Sequence, residues 1–139
     1  MNIYFTASIR GGRAEQPSYE QILKLIERYG SVLSGHVADE SISNFGETEF
    51  TKEEIYEREI ENLKQCDIVV AEITTPSLGV GYMIAKATDM NKEIICLYHE
   101  KNTDKLSAII HASPKTKVIL YESAEDIQIY LKKLFKKND

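Results

Sequence analysis

Apolar residues along the chain fall into short blocks separated by longer periodic stretches. The short blocks, rich in Ile, Val and Tyr, predict strands at 2–7, 68–73, 93–98 and 117–121. The longer stretches carry apolar residues at helical spacing and predict helices at 18–29, 52–65, 80–90 and 124–136. A weaker strand is predicted at 31–36, directly after Gly30, which suits the end of the first helix.

This alternation of strands and helices predicts an α/β fold with a parallel sheet covered on both faces. Right-handed crossovers leave few topologies, and we expect a doubly wound, five-stranded sheet of order 2-1-3-4-5. In such a sheet the ligand crevice lies beyond the carboxyl ends of the first and third strands. Those ends correspond to residues 6–13 and 72–79 of this chain.

Composition indicates an ordinary soluble protein. The 139 residues fit a single domain spanning 1–139, and the apolar and charged shares of 42% and 28% are typical of globular chains. The apolar runs are too short to span a membrane and the N-terminus lacks a leader pattern, so we expect a cytoplasmic protein without a membrane partner. A net charge of −5 argues against nucleic acid as a partner.

Cysteine and histidine are scattered along the sequence. Cys66 and Cys96 form neither a disulfide framework nor a metal-binding spacing, and we expect two small buried thiols. The three histidines likewise form no metal or triad pattern. No metal site is therefore predicted.

The segment after the first strand could bind an anion. It reads Ser8-Ile9-Arg10-Gly11-Gly12-Arg13, in which glycines let backbone N–H groups approach an anion beside two guanidinium groups. An ordinary glycine turn with solvated arginines explains the same residues equally well.

The segment after the third strand offers a second anion site. Ser77, Gly79 and Gly81 lie at the predicted opening of the third helix, where free N–H groups and the helix dipole favour phosphate. Ser77 is the best phosphate ligand in this segment. The alternative is that Ser77 simply caps the helix.

One carboxylate on the second predicted helix is the best candidate there for a functional role. Glu59 lies four residues from Ile55 and from Leu63, beside the apolar stripe that should face the sheet, so it must find a partner or change its pKa. Glu57 and Glu61 are expected to lie in solvent, with Arg58 and Lys64 nearby as partners. An edge position, with the Glu59 carboxylate reaching water, is the competing interpretation.

Residues 3–13 and 70–82 together strongly resemble the 2'-deoxynucleoside 5'-phosphate N-hydrolases of the nucleoside 2-deoxyribosyltransferase superfamily. The likeness continues through residues 35–37, 91–92, 96–98 and 106–108 and covers nearly the whole chain. It implies a flavodoxin-like fold, a homodimer, and hydrolysis of the bond between base and deoxyribose in a 5'-monophosphate. It implies neither a metal nor an organic cofactor.

The resemblance also assigns roles to residues. Family members surround the nucleotide with segments matched here by Ser8 through Arg13 and by Ser77 through Gly81, with Ser77 as the phosphate-binding serine. Ser107 matches a serine that reaches the phosphate from the partner subunit. Tyr4 matches the active-site tyrosine; from the strand pattern alone it is a core residue whose hydroxyl needs a partner if buried.

Two departures from the family concern carboxylates. Met83 stands where the family carries its nucleophilic Glu, and Glu59 stands where the family usually carries an Asp. A thioether can neither attack the anomeric carbon nor activate water, as a carboxylate does.

The leading hypothesis is an N-glycosidase of nucleoside monophosphates whose chemistry is reassigned to Glu59, with Tyr4 orienting it. Ser77 and the loop from Arg10 to Arg13 bind phosphate in this hypothesis, and Met83 lines the sugar side of the pocket. The alternative is a catalytically silent nucleotide-binding or regulatory protein. A conventional transferase is disfavoured because that reaction needs the covalent Glu. Base preference and the choice of ribose or deoxyribose stay open.

Overall fold

The computed structural model describes residues 1–9, 16–34 and 49–136. The strands are β1 Asn2–Ala7, β2 Ser31–Val32, β3 Ile68–Glu72, β4 Glu93–His99 and β5 Thr116–Tyr121. The helices are α1 Gln16–Ile26, α2 Lys52–Gln65, α3 Leu78–Asp89, α4 Ala108–Ala112 and α5 Ala124–Lys136, and a 3₁₀ helix occupies Glu100–Lys105.

The five strands form one parallel sheet of order β2-β1-β3-β4-β5, which confirms the predicted α/β topology. β1 and β3 are neighbours, with Tyr4 opposite Val69 and Ala7 opposite Glu72. The carboxyl ends of these two strands therefore lie side by side. The segments that follow them leave the sheet at the point where its winding reverses, which is the usual ligand crevice of such sheets.

Side chains alternate between the two faces of the sheet because successive strand residues point in opposite directions. One face packs against α1 and α5. Its buried residues include Ile3, Phe5, Val70, Tyr19, Ile22, Ile127 and Leu131. The other face packs against α2 and α3. Its buried residues include Tyr4, Val69, Ala71, Leu63, Val80, Met83 and Ile84. Every functional side chain predicted within β1, α2 and α3 belongs to this second face or to its rim.

The first helix ends earlier than the sequence predicts, at Ile26, and a turn follows it. Gly30 does not act as a left-handed helix cap. It allows the backbone of Met1 to pass close by, because a Cβ at position 30 would clash with the Met1 carbonyl oxygen. That carbonyl accepts a 2.9 Å hydrogen bond from Ser31 N, where β2 begins beside β1. β2 itself spans two residues within the described part, and predicted strand residues 35–36 lie outside it.

The end of α3 is tied to the end of α2. Asn91 takes a left-handed conformation, with φ 56°, and the N–H groups of Asn91 and Lys92 donate to the Thr88 and Ala87 carbonyls. This hydrogen-bond pattern closes a helix and redirects the chain. Lys92 Nζ then donates to the carbonyl of Cys66 at 2.7 Å. The α2 and α3 helices, which carry Glu59 and Met83, are thus held together at one end.

Both cysteines are buried and free, as predicted. Burial raises the pKa of the Cys96 thiol to about 12 and also raises the pKa of Cys66. Within the described ranges, no cluster of His, Cys, Asp and Glu could hold a metal ion. No helix in those ranges has the length and apolarity needed to cross a bilayer.

Candidate functional site

Tyr4 and Glu59 meet between the sheet and α2. The Tyr4 hydroxyl donates a hydrogen bond to Glu59 Oε2 at 2.6 Å. Tyr4 is buried, and its pKa is raised far above the usual value, first by burial and then by the negative charge of Glu59. The hydroxyl is therefore held as a proton donor to the carboxylate. The structure thus brings together the two residues that the sequence nominated for chemistry.

The second oxygen of Glu59 also has a donor. Arg58 Nε and Nη2 lie 3.2 and 2.9 Å from Glu59 Oε1. The Glu59 side chain is 16% exposed, so its carboxylate lies at the rim of the core rather than in open water. This pair was not predicted from the sequence, in which Arg58 is placed near Glu57 and Glu61, because adjacent helical residues do not normally face each other.

Met83 is buried in the second-face cluster that also contains Tyr4 and Val80. It lies inside α3, about 9 Å along the helix from Ser77 at 1.5 Å per residue. Its thioether has no proton to give and is at most a weak acceptor. Position 83 therefore contributes a buried apolar side chain to this cluster.

Ser77 caps α3, and its Oγ accepts a 3.3 Å hydrogen bond from Val80 N. Capping and ligand binding are compatible, because a hydroxyl that accepts one bond still has a proton to donate. A Cβ on Gly79 would meet Ser77 Oγ at 3.8 Å, and one on Gly81 would meet nothing within 4 Å. Packing among the described residues therefore does not require glycine at either position.

A cleft of about 480 Å³ opens between the first turn of α3 and α4. Its lining includes Ser77, Gly81 and the side chains of Lys105 and Ser107. Ser107 caps α4 and accepts from Ile110 N at 3.4 Å. The cleft therefore contains Ser77 and Ser107 of the same chain, whereas the resemblance assigns the second serine to the partner's site.

Ser8 and Ile9 follow β1. The Ser8 hydroxyl is buried and has no hydrogen-bond partner among the residues that the structure describes, while Ile9 packs against the first-face cluster. A buried hydroxyl in that state is costly unless something pairs with it. The remaining residues of this predicted segment, Arg10, Gly11, Gly12 and Arg13, lie outside the described residues.

Glu72, the buried last residue of β3, was not predicted as a site residue from the sequence. Its Oε1 accepts from the backbone N–H of Thr74 at 2.9 Å and from the Thr74 hydroxyl. Thr74 Oγ1 in turn accepts from His99 N at 2.9 Å, which joins the ends of β3 and β4. The sequence signal that could have identified Glu72 is a charged residue at the end of an otherwise apolar strand. This network fixes the start of the segment that leads to Ser77.

Known proteins of similar sequence and fold carry related names. The profile of the family described as nucleoside 2-deoxyribosyltransferase matches residues 3–125. A 5-hydroxymethyl-dUMP N-hydrolase of Danio rerio is 43% identical over 127 residues, covering 91% of this chain and 89% of that protein. A putative 2'-deoxynucleoside 5'-phosphate N-hydrolase 1 of Syntrophotalea carbinolica is 35% identical over 132 residues, covering 95% and 92% respectively.

A solved structure has the same fold. The CMP N-glycosidase BcmB of Clostridium botulinum superposes with a TM-score of 0.66 at 20% identity, over 96% of this chain and 99% of that one. The family profile covers most of the chain, and the sequence relatives match it nearly end to end. This chain therefore belongs to the nucleoside 2-deoxyribosyltransferase family.

Proposed function

We propose that the protein is a hydrolase that cleaves the N-glycosidic bond of nucleoside or deoxynucleoside 5'-monophosphates. Its relatives with over 30% identity and nearly full coverage are named for hydrolysis of deoxynucleoside 5'-phosphates. The observation that carries the proposal is the partly buried hydrogen bond between Tyr4 and Glu59. It supplies an oriented carboxylate although position 83 is a methionine.

Glu59 is the catalytic carboxylate of this proposal. Cleavage develops positive charge on the sugar, which a nearby carboxylate stabilises. A water on the opposite side of the sugar from the base attacks the anomeric carbon and gives its proton to Glu59. The electron pair of the broken bond leaves with the base. This single displacement requires no covalent intermediate, and therefore no carboxylate at Met83.

The phosphate lies at the opening of α3 in this proposal. Ser77 donates its hydroxyl proton to it, while Gly79 and Gly81 leave room for the ligand to approach the backbone. The segment from Ser8 to Arg13 supplies further contacts, with the guanidinium groups of Arg10 and Arg13 balancing the phosphate charge. The buried Ser8 hydroxyl supports a polar ligand near the end of β1.

The protein acts as a cytoplasmic homodimer in this proposal. Leu78 and Ile109, which line the cleft between α3 and α4, are 96% and 82% exposed in the single chain. Large apolar side chains clustered at such exposure indicate a surface that a second subunit covers. Ser107, in the same cleft, then contributes to the neighbouring site.

A silent nucleotide-binding protein is the second candidate, and Met83 is the observation that favours it. A panel of nucleoside and deoxynucleoside 5'-monophosphates, scored for released base by chromatography, separates the two. The enzyme releases base from at least one member, and Glu59→Gln abolishes release while nucleotide binding persists. Tight binding without any base release would instead support the silent protein.

A further inference from the structure

The two oxygens of the Glu59 carboxylate are held by donors on different elements. Tyr4, on β1, donates to Oε2, and Arg58, on α2, donates to Oε1 through two of its nitrogens. The Oε2 bond alone would leave the carboxylate free to rotate about its last torsion. Donors at both oxygens fix the plane of the group.

Arg58 is itself supported. Its guanidinium carbon lies 5.5 Å from the centre of the Phe50 ring, within the range of a cation–π contact. The Arg58 side chain is 31% exposed, so solvent screens the ion pair less than it screens a surface pair. Phe50 precedes Thr51, whose side chain caps α2. The residue that contacts the Arg58 guanidinium therefore lies directly before the N-terminus of the helix that carries Arg58.

From this geometry we infer that Arg58, backed by Phe50, is a positioning residue that holds Glu59 oriented and ionised for the attack on the sugar. The inference rests on the proposed function, since it assigns Arg58 a part in that reaction. Position 83 carries no carboxylate to share the task, so in the proposed reaction turnover depends on the state of Glu59.

The electrostatic surroundings of Glu59 support this assignment. A neighbouring cation favours the charged form of a carboxylate, and a hydrogen bond to that form acts in the same direction. On the sheet side, Tyr4 faces Glu59, and the Cys66 thiol acts on Tyr4 electrostatically. Both of these groups are neutral near pH 7, because the ordinary pKa values of a tyrosine and a cysteine lie above 7 and burial raises the pKa of each further. Among these three groups Arg58 supplies the positive charge.

The test compares Arg58→Gln with Arg58→Lys and with Phe50→Leu. Arg58→Gln should lower kcat by about tenfold or more, because misplacement of a catalytic group is costly, while KM for the monophosphate changes little. The acidic limb of the kcat/KM profile should move to higher pH. Arg58→Lys should restore the position of that limb but only part of kcat, because an ammonium lacks the fork of a guanidinium. Phe50→Leu should give a smaller loss of the same kind.

A matched control uses an ion pair far from the site. Lys117 Nζ lies 3.1 Å from Glu93 Oε1, and both side chains are well exposed. Lys117→Gln removes a similar charge and should leave kcat, KM and the pH profile unchanged. An unchanged profile in Arg58→Gln, or a rise in KM without a fall in kcat, would overturn the assignment. The second result would make Arg58 a substrate contact.

A measurement without substrate separates this inference from the proposed function. Carbon-13 NMR of labelled glutamate follows the Glu59 carboxyl signal, assigned by its loss in Glu59→Gln, through a pH titration. The titration midpoint should rise in Arg58→Gln and return towards the original value in Arg58→Lys, whether or not the protein releases base. An unshifted midpoint overturns the inference even in an active enzyme. A shifted midpoint in a protein without glycosidase activity would contradict the proposed function and leave the electrostatic role of Arg58 standing.

Discussion

The Tyr4 hydroxyl reaches Glu59 Oε2 across 55 positions of sequence. The contact joins a buried strand residue to a helix residue whose side chain is 16% exposed. It therefore couples the rigid sheet to the one carboxylate on which the proposed reaction depends.

Tyr4→Phe tests that coupling. The substitution keeps the ring in the core and removes the donor, so we expect kcat to fall while KM for a monophosphate stays near its original value. The loss of one hydrogen bond should lower the free energy of unfolding by about 1 kcal/mol. Steady-state kinetics and urea denaturation measure the two effects. Full activity in Tyr4→Phe would show that Glu59 needs no support from the sheet.

Met83→Glu tests whether the buried pocket can use a second carboxylate. We expect base release to increase, because the substitution places an attacking group on α3, in the buried cluster that contains Tyr4. The new carboxylate is buried, so the melting temperature should fall. Met83→Gln is the matched control, with similar size and no charge, and should show no gain. Equal rates for both variants would contradict the assignment of this position to the sugar pocket.

Two substitutions at Ser77 separate helix capping from phosphate binding. Ser77→Asp keeps a capping side chain but adds negative charge, so monophosphate affinity should fall sharply while thermal stability is maintained. Ser77→Ala should lose affinity and about 1 kcal/mol of stability. Calorimetric titration and thermal melting provide the two readouts. Unchanged affinity in Ser77→Asp would assign the residue to capping alone.

Ser107 allows a test of which subunit completes the site. Ser77→Ala and Ser107→Ala homodimers should each be impaired, and mixing them after reversible dissociation should recover activity if Ser107 acts across the dimer. Recovery occurs because one site of the mixed dimer then has both serines intact. If Ser107 serves its own chain, mixing recovers nothing. Analytical ultracentrifugation tests the dimer itself, and a monomer at micromolar concentration would exclude action across subunits.

The buried thiols predict a loss of stability at high pH. Burial raises the pKa of Cys96 from 9.0 to about 12, so the folded protein keeps a proton that the unfolded chain releases. This contribution is complete below about pH 9 and is lost as the pH rises through about 12. Cys96→Ala should flatten the decline in unfolding free energy between about pH 8 and about pH 11, measured by denaturant titration. An unchanged slope would contradict the burial effect.

The sheet order and most element bounds could be predicted because burial on both faces leaves a strong apolar pattern in the strands. The short α4 and the 3₁₀ helix after β4 were not predicted as separate elements, since so few residues carry no clear period. Gly30 was assigned to a helix cap, yet the approach of the Met1 carbonyl explains it. That contact depends on strand pairing, which local sequence does not contain.

Within the candidate site, Glu59 was predicted from the helical spacing of apolar residues around it. Tyr4 was predicted from the family resemblance. The contact between Arg58 and Glu59 was not predicted, because adjacent residues of a helix point in different directions. It depends on the conformation of the Arg58 side chain, which lies over the Phe50 ring. The Glu72 network was missed because it forms only when the ends of β3 and β4 lie side by side. Tertiary placement, rather than local pattern, determines both contacts.

The α3 helix sets a fixed interval between the ends of the substrate in the proposed site. Ser77 marks the phosphate end and Met83 the sugar end, and a helical backbone keeps them about 9 Å apart along its axis. One residue inserted between them would turn Met83 about 100° away from the pocket and lengthen the interval by about 1.5 Å. In the proposed site, helix geometry therefore sets the reach from the phosphate to the sugar, whichever base the substrate carries.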